Sequence, residues 1–167
     1  MGKVIAVCTS PAKGTQKTNV GTANFIADWG IENDAHAGHW HRQVSLLSFD
    51  KIEAFRARGA QVADGAFGEN LVVAGIDFRA LPLGARFGCN DVVLELTQIG
   101  KECHSGCAIY KAMPLQPCAT LSSFSQDAMR RAKTFAARSS VAPARPPGFF
   151  SIGMPVVSTR QAPVARS

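Results

Sequence analysis

Apolar residues in the first hundred positions fall into short runs that are rich in β-branched side chains and are separated by turn residues. Three runs have the length and composition of strands: residues 3–8 (KVIAVC), 43–48 (QVSLLS) and 92–98 (VVLELTQ). Residues 67–73 predict a fourth strand. The spacing is irregular and lacks long helical segments between the strands, which disfavours a doubly wound parallel sheet. We therefore expect a mainly β or α+β domain.

One segment, residues 50–58, has the features of a helix. Asp50 suits its N-cap, and Ile52 and Phe55 are three residues apart, so they would share a buried face. By contrast, residues 30–41 are rich in Gly, Asp, Asn and His and predict an exposed loop.

The formal net charge of +6 belongs to the last third of the chain. Residues 1–111 hold 11 Lys/Arg and 11 Asp/Glu, whereas residues 112–167 hold 7 Arg/Lys and a single acidic residue, Asp127. A neutral body argues against nucleic acid as a partner. Apolar runs are too short for a transmembrane helix or a signal peptide, so we expect a cytoplasmic protein with reduced thiols and no membrane partner.

The last third also differs in composition. Seven of the nine prolines lie in residues 113–167, which are otherwise dominated by Ala, Arg and Ser. A basic helix is predicted over residues 127–138, and little order is expected beyond residue 139.

Three of the four histidines fall within six positions, in the run DAHAGHWHR that begins at Asp34. Imidazoles bind divalent metals and also donate hydrogen bonds to phosphate. The spacing is not a standard zinc signature, so an anion site and a metal site both stay open. The metal alternative would use His36, His39 and His41, with Cys103 or Cys107 as the fourth ligand.

A second cluster, GKECHSGC at residues 100–107, follows a predicted strand directly. The thiolate is the reactive form of cysteine, and neighbouring cations lower the pKa of a thiol. Lys101 and His104 flank Cys103, which makes Cys103 a candidate reactive thiol. The alternative is that Cys103 and Cys107 are small buried apolar residues, as most free cysteines are.

Two weaker signals complete the set. Glu69 and Asn70 stand just before a predicted strand, and Lys17 lies in the first loop, where it could contact an anion. A solvated lysine and an ordinary turn are the alternatives.

Taken in order, three segments resemble the MOSC domain, named for the C-terminal domain of molybdenum cofactor sulfurase. They are residues 30–47 (GIENDAHAGHWHRQVSLL), 67–71 (FGENL) and 94–110 (LELTQIGKECHSGCAIY). The resemblance is to the small stand-alone bacterial branch and covers residues 1–112. It implies a MOSC-like β-barrel with a few short helices.

The resemblance also implies a function. It suggests a sulfur carrier or a protein that binds the molybdenum cofactor, with molybdenum cofactor biosynthesis proteins or a cysteine desulfurase as partners. In the family a cysteine near the end of the domain receives sulfur as a persulfide, and by motif position this catalytic residue is Cys103. A sulfur transferase and a component of a molybdenum-cofactor-dependent oxidoreductase are both compatible. Pyridoxal phosphate belongs to the desulfurase domain of larger sulfurases and is not expected here.

Candidate cofactor-binding residues follow from the same motifs. The family's Gly-Asp-x-His region and Glu-Asn pair supply part of the set, and a cofactor phosphate would need cationic or polar donors. The full set is Lys17, Asp34, His36, His41, Arg42, Glu69, Asn70, Lys101 and His104.

This sequence departs from the family pattern in two places. Asn33 stands where the family usually has glycine, and because Asn tolerates positive φ we expect the turn to be kept. After residue 111 this branch of the family normally continues with Gly-Asp-Cys-x-Met-Pro-x-Glu-Gly and a further strand pair. Here the sequence of residues 112–117 is AMPLQP. We hypothesise that residues after about Ala112 are translated out of frame, which would leave the C-terminal strands missing. A lineage-specific basic tail that binds a partner is the alternative.

Overall fold

The computed structural model describes residues 2–100, 129–136, 149–153 and 159–160. The one α-helix in this part of the chain, α1, spans Phe49–Arg56, and a single 3₁₀ turn spans Phe78–Ala80. The strands are β1 (Gly2–Thr9), β2 (Thr18–Asn19), β3 (Phe25–Ile26), β4 (Gly30–Ile31), β5 (Val44–Ser48), β6 (Leu71–Ala74), β7 (Arg86–Cys89), β8 (Val92–Ile99), β9 (Met129–Ala136), β10 (Phe149–Gly153) and β11 (Thr159–Arg160).

Eight of these strands form one sheet in the order β10-β7-β8-β9-β5-β6-β1-β2. Strand β10 is parallel to β7, and it is also parallel to β1, where Gly2 pairs with Ile152. The pairing order of seven strands therefore returns to its starting strand, and the sheet curls into a barrel. The predicted β-rich, barrel-like fold class is confirmed. No helix in the described segments is long and apolar enough to cross a membrane.

Alternation along the strands divides the apolar residues between two cores. One face of β1, β5, β6, β8 and β9 packs inside the barrel, where Val7, Leu46, Leu71, Leu96 and Ala132 are buried. The opposite face of β1, β5 and β6 is covered by α1 and by residues 60–67. Ile52 and Phe55 of α1 are both buried there, as their spacing predicts.

Strand β9 contradicts the predicted helix over residues 127–138. Residues 129–136 are extended and pair antiparallel with both β5 and β8. Two flanking strands satisfy the backbone of this segment, so its helix-forming composition does not decide its structure. Beyond residue 139 the structure describes only the strand residues 149–153 and 159–160, and the expectation of little order there stays a prediction. The domain boundary expected near residue 112 lies outside the described residues.

The turn at Asn33 is kept without glycine. Asn33 has φ +62°, in the left-handed region that asparagine tolerates better than most residues. This turn leads the chain from β4 into the histidine-rich loop, so the local prediction at Asn33 is confirmed.

Candidate functional site

A buried ion pair between Lys17 and Asp34 anchors the histidine-rich loop. The Lys17 side chain donates to Asp34 Oδ1, and both side chains are fully buried. Asp34 also accepts from two backbone groups, Ser10 N at 3.0 Å and His36 N at 3.0 Å. The sequence predicts that the histidine-rich loop is exposed, but its Asp34 side chain points inward. It does so because the groups that donate to the carboxylate, Lys17 Nζ and Ser10 N, are buried.

These contacts shift the pKa values of both partners. Burial alone would raise the pKa of the Asp34 carboxyl, but its contacts with His36 and Lys17 outweigh burial and hold the pKa well below the usual range. Burial lowers the pKa of the Lys17 ammonium, and the charge of Arg131 lowers it further against the attraction of Asp34. Asp34 is thus ionised at neutral pH and serves as the counterion of Lys17.

His36 meets the same ammonium group from the other side. Its Nδ1 lies 3.2 Å from Lys17 Nζ. The same Nδ1 lies 3.7 Å from Asp34 Oδ2, so this ring nitrogen faces both members of the ion pair. The side chain is 20% exposed, so part of the ring is accessible to a ligand.

Arg131 is the buried cation that the sequence does not reveal. Alternation along β9 places Ala132 inside the barrel and Arg131 on the opposite face, in register with Ser45 of β5. Arg131 is only 7% exposed, and its Nε has no hydrogen-bond partner. Burial and the charge of Arg42 lower its pKa to about 10, so it remains protonated at neutral pH.

The result is a cluster with excess positive charge, here called the cationic cluster: Lys17, Arg42 and Arg131. Arg42 Nε also lacks a hydrogen-bond partner. In the described part of the chain the one carboxylate that contacts the cluster is Asp34, which Lys17 already engages. Guanidinium groups bind phosphate and carboxylate groups strongly, and a buried Nε–H without an acceptor is costly. Such a cluster is suited to an anionic group.

Trp40 and Gln43 hold the loop in place around the cluster. Trp40 Nε1 donates to the His36 carbonyl at 2.8 Å, and Arg42 Cζ lies 4.9 Å from the Trp40 ring centroid. Gln43 accepts from Thr134 N at 2.8 Å, which ties the loop to β9.

The two other predicted loop histidines are placed differently. His41 is exposed, and its carbonyl accepts a hydrogen bond from Thr97 at the end of β8. His39 is 73% exposed and lies 3.6 Å from Asp28. Across the described segments no group of three or more His, Cys, Asp or Glu side chains is arranged to hold a metal ion.

Glu69 and Asn70 lie below the surface and are bonded to backbone groups. Asn70 Oδ1 accepts from Ser45 N at 3.1 Å, and its Nδ2 donates to the Cys8 carbonyl at 3.0 Å. Both Glu69 oxygens accept backbone N–H groups of the preceding turn, residues 65–67. Asn70 therefore joins β1 and β5 just before β6, and Glu69 holds the turn that precedes it.

Cys8 and Cys89 are the two cysteines in the described part of the chain, and both are buried. Burial raises the pKa of Cys8 to about 12 and that of Cys89 to about 11, so neither forms a thiolate at neutral pH. Cys103, Lys101 and His104 lie outside the described residues. Their predicted roles stay predictions.

Fold and site together define a small barrel protein with a buried cationic cluster on the outer face of β9. The sequence model of the MOSC domain family matches residues 33–152, so the chain belongs to the MOSC domain family. This match extends past residue 112 through β9 and into β10.

Solved structures agree with the fold. YiiM from Geobacillus stearothermophilus aligns with a TM-score of 0.61 at 17% identity, over 81% of this chain and 69% of that protein. YuaD from Bacillus subtilis aligns with a TM-score of 0.55 at 18% identity, over 82% and 92%. A crystal structure described as a hypothetical protein also has a TM-score of 0.61 at 18% identity, and this chain, aligned over 81% of its residues, spans 62% of its length. Comparison with curated proteins gave no match.

Proposed function

We propose that this protein binds the molybdenum cofactor through its phosphate and carries sulfur on Cys103. The observation that supports the first half is Arg131, a buried guanidinium whose Nε has no partner and which lies beside Lys17 and Arg42. A phosphate is the group that would satisfy these donors together. MOSC membership supplies the link to molybdenum cofactor proteins.

In this proposal each residue of the site has a separate task. Arg131 and Arg42 bind phosphate oxygens, Lys17 contributes charge while Asp34 fixes its position, and His36 offers a ring N–H as a further donor. When bound, the cofactor supplies a redox-active molybdenum atom. Burial of the cluster excludes water and so strengthens these interactions.

The sulfur step uses the thiolate of Cys103. The thiolate attacks the outer sulfur of a donor persulfide, a new S–S bond forms, and the donor cysteine leaves as a thiolate, so no net oxidation occurs. Strand β8 ends beside Arg130 and Arg131 of β9. In the sequence Cys103 follows Gly100, the residue after β8, by three positions.

The cofactor half is tested by replacing Arg131. The variant Arg131→Met removes the guanidinium and keeps an apolar stem, and Arg58→Met removes an exposed arginine as the matched control. We expect purified Arg131→Met to carry at least about tenfold less bound pterin, measured as its fluorescent oxidation product, since a charged hydrogen bond is worth about 1.5–3 kcal/mol. Equal pterin content in wild type and Arg131→Met would exclude the cluster as the phosphate site.

The sulfur half is tested with a cysteine desulfurase, free cysteine and a persulfide-specific label. Cys103 should be labelled in wild type and in the control Cys107→Ser, and labelling should be lost in Cys103→Ser. Labelling that survives in Cys103→Ser would move the carrier role to another thiol.

A further inference from the structure

Glu69 is a fully buried carboxylate to which the proposed function gives no role. Its Oε1 accepts from Gly65 N at 2.6 Å, and its Oε2 accepts from Phe67 N at 3.0 Å. Both oxygens therefore act as acceptors, which is the pattern of an ionised carboxylate; protonation would put a hydrogen on one oxygen and weaken that oxygen as an acceptor. The turn at residues 65–69 is folded around this side chain.

The same turn is in direct contact with the backbone of Lys17. The Gly65 carbonyl accepts from Lys17 N at 2.9 Å. Gly65 has φ +93°, and a Cβ built on it would lie 2.1 Å from the Lys17 carbonyl oxygen. Glu69 thus fixes the backbone of Gly65 by a hydrogen bond. Gly65 in turn fixes the backbone of Lys17, whose ammonium group donates to Asp34.

Several charged or titratable groups face Glu69 from the surrounding elements. Cys8 faces it from β1, Asp64 precedes the turn, and Lys17 lies across it in the first loop; Asp64 is itself paired with Arg56 of α1 at 3.0 Å. Burial, with a smaller contribution from the charge of Asp64, raises the pKa of Glu69 to about 7 against the lowering effect of the backbone donors. Glu69 therefore changes its charge near neutral pH.

We infer that Glu69 is a positioning residue for the anion site: its ionised side chain fixes the turn that places Lys17, so that ionisation of Glu69 and binding of an anion favour each other. This inference rests on the proposed anion site. Linkage requires the effect to be reciprocal, so a bound anion should lower the pKa of Glu69. Repulsion through space between the anion and the carboxylate would raise it instead. The two mechanisms are distinguished by the sign of the shift.

The test uses the full chain and inorganic sulfate, a dianion that does not titrate in this pH range. Sulfate affinity is measured by calorimetry near pH 6 and near pH 8 for wild type, for Glu69→Gln and for the control Asp91→Asn. Asp91 is an exposed carboxylate in the β7–β8 turn, at the end of β8 opposite to the pairing of Gln98 with Arg131. Near pH 8 we expect Glu69→Gln to bind sulfate at least about fivefold more weakly than wild type, the lower end of typical coupling between sites. Near pH 6 the difference should shrink, and the control should match wild type at both pH values.

A second measurement keeps the inference testable if Glu69→Gln fails to fold. The carboxyl ¹³C shift of Glu69 in wild type is titrated with and without sulfate, and its midpoint should fall when sulfate is bound. A midpoint that rises, or a Glu69→Gln variant that binds like wild type at both pH values, overturns the inference and leaves the anion site standing. Absence of sulfate binding in wild type overturns the anion site and the inference together. Where wild type binds sulfate, Lys17→Met should lose that binding, and unchanged binding in Lys17→Met would also overturn both.

Discussion

Replacing Asp34 with Asn should be among the most destabilising single changes in this protein. The substitution keeps the side-chain shape and removes the carboxylate that pairs with the buried Lys17 ammonium. It also turns an amide N–H₂ group toward one of the two backbone donors, Ser10 N or His36 N. Removing one partner of a buried ion pair typically costs about 3–5 kcal/mol. For a chain of this length that corresponds to a fall in Tm of roughly 6–20 °C.

Urea unfolding of matched variants measures this cost. Asp28→Asn is the control, because Asp28 is also an aspartate beside a histidine but is 74% exposed, and its loss should cost under about 0.5 kcal/mol. The double variant Lys17→Met/Asp34→Asn should recover much of the stability, since it removes the uncompensated charge as well. Equal midpoints for Asp34→Asn and Asp28→Asn, or no recovery in the double variant, would refute the view that the pair is held by burial and charge.

Three further outcomes are expected. Gly65→Ala should lose about 1–3 kcal/mol more than Gly59→Ala in urea unfolding, because both glycines have φ +93° but only at 65 would the new Cβ lie 2.1 Å from a backbone oxygen. Iodoacetamide at about pH 8 should leave Cys8 and Cys89 unmodified in the native protein, because their pKa values are raised to about 12 and about 11; peptide mapping that finds either thiol alkylated before unfolding would contradict this. The pKa of Glu69 is raised from 4.5 to about 7 in the folded state, so between these values the folded protein holds a proton that the unfolded chain has released, and stability should fall by about 3 kcal/mol as pH rises across this window. Unfolding midpoints near pH 5 and pH 8 should show this slope in wild type and lose it in Glu69→Gln.

The strands that the sequence predicts are those whose side chains match a half-buried or buried sheet. β1 and β5 carry apolar residues that are buried, and β8 alternates between buried and half-buried positions, so local composition and the final environment agree. β9 reads MRRAKTFA, which suits a helix, and it becomes a strand because β5 and β8 flank it on both sides. Pairing partners far along the chain decide such a segment, and no local pattern encodes them.

The residues of the candidate site also differ in whether the sequence predicts them. Lys17, Asp34, His36 and Arg42 follow from residue type and family motif, and the structure brings the first three into contact and places Arg42 near Arg131. Arg131 does not follow, because its burial depends on the register of β9 against Ser45. The function of Glu69 in the turn could not be predicted either, since its hydrogen-bond donors are backbone N–H groups that any sequence would supply.

During protein synthesis the barrel can close only after strand β10 has been made. The residues of β10 pair with Gly2 and Lys3 of β1 on one side and with Arg86–Gly88 of β7 on the other. This strand, which comes late in the sequence, therefore joins the first strand of the chain to β7. During synthesis, β1 and β7 emerge early and keep open hydrogen-bonding edges until residue 153 has left the ribosome. Open edges of this kind invite pairing with other chains. A nascent chain stalled before residue 149 should therefore be the species most prone to aggregate. Such a chain lacks the contacts of β10, and it also keeps two strand edges exposed for as long as synthesis is delayed.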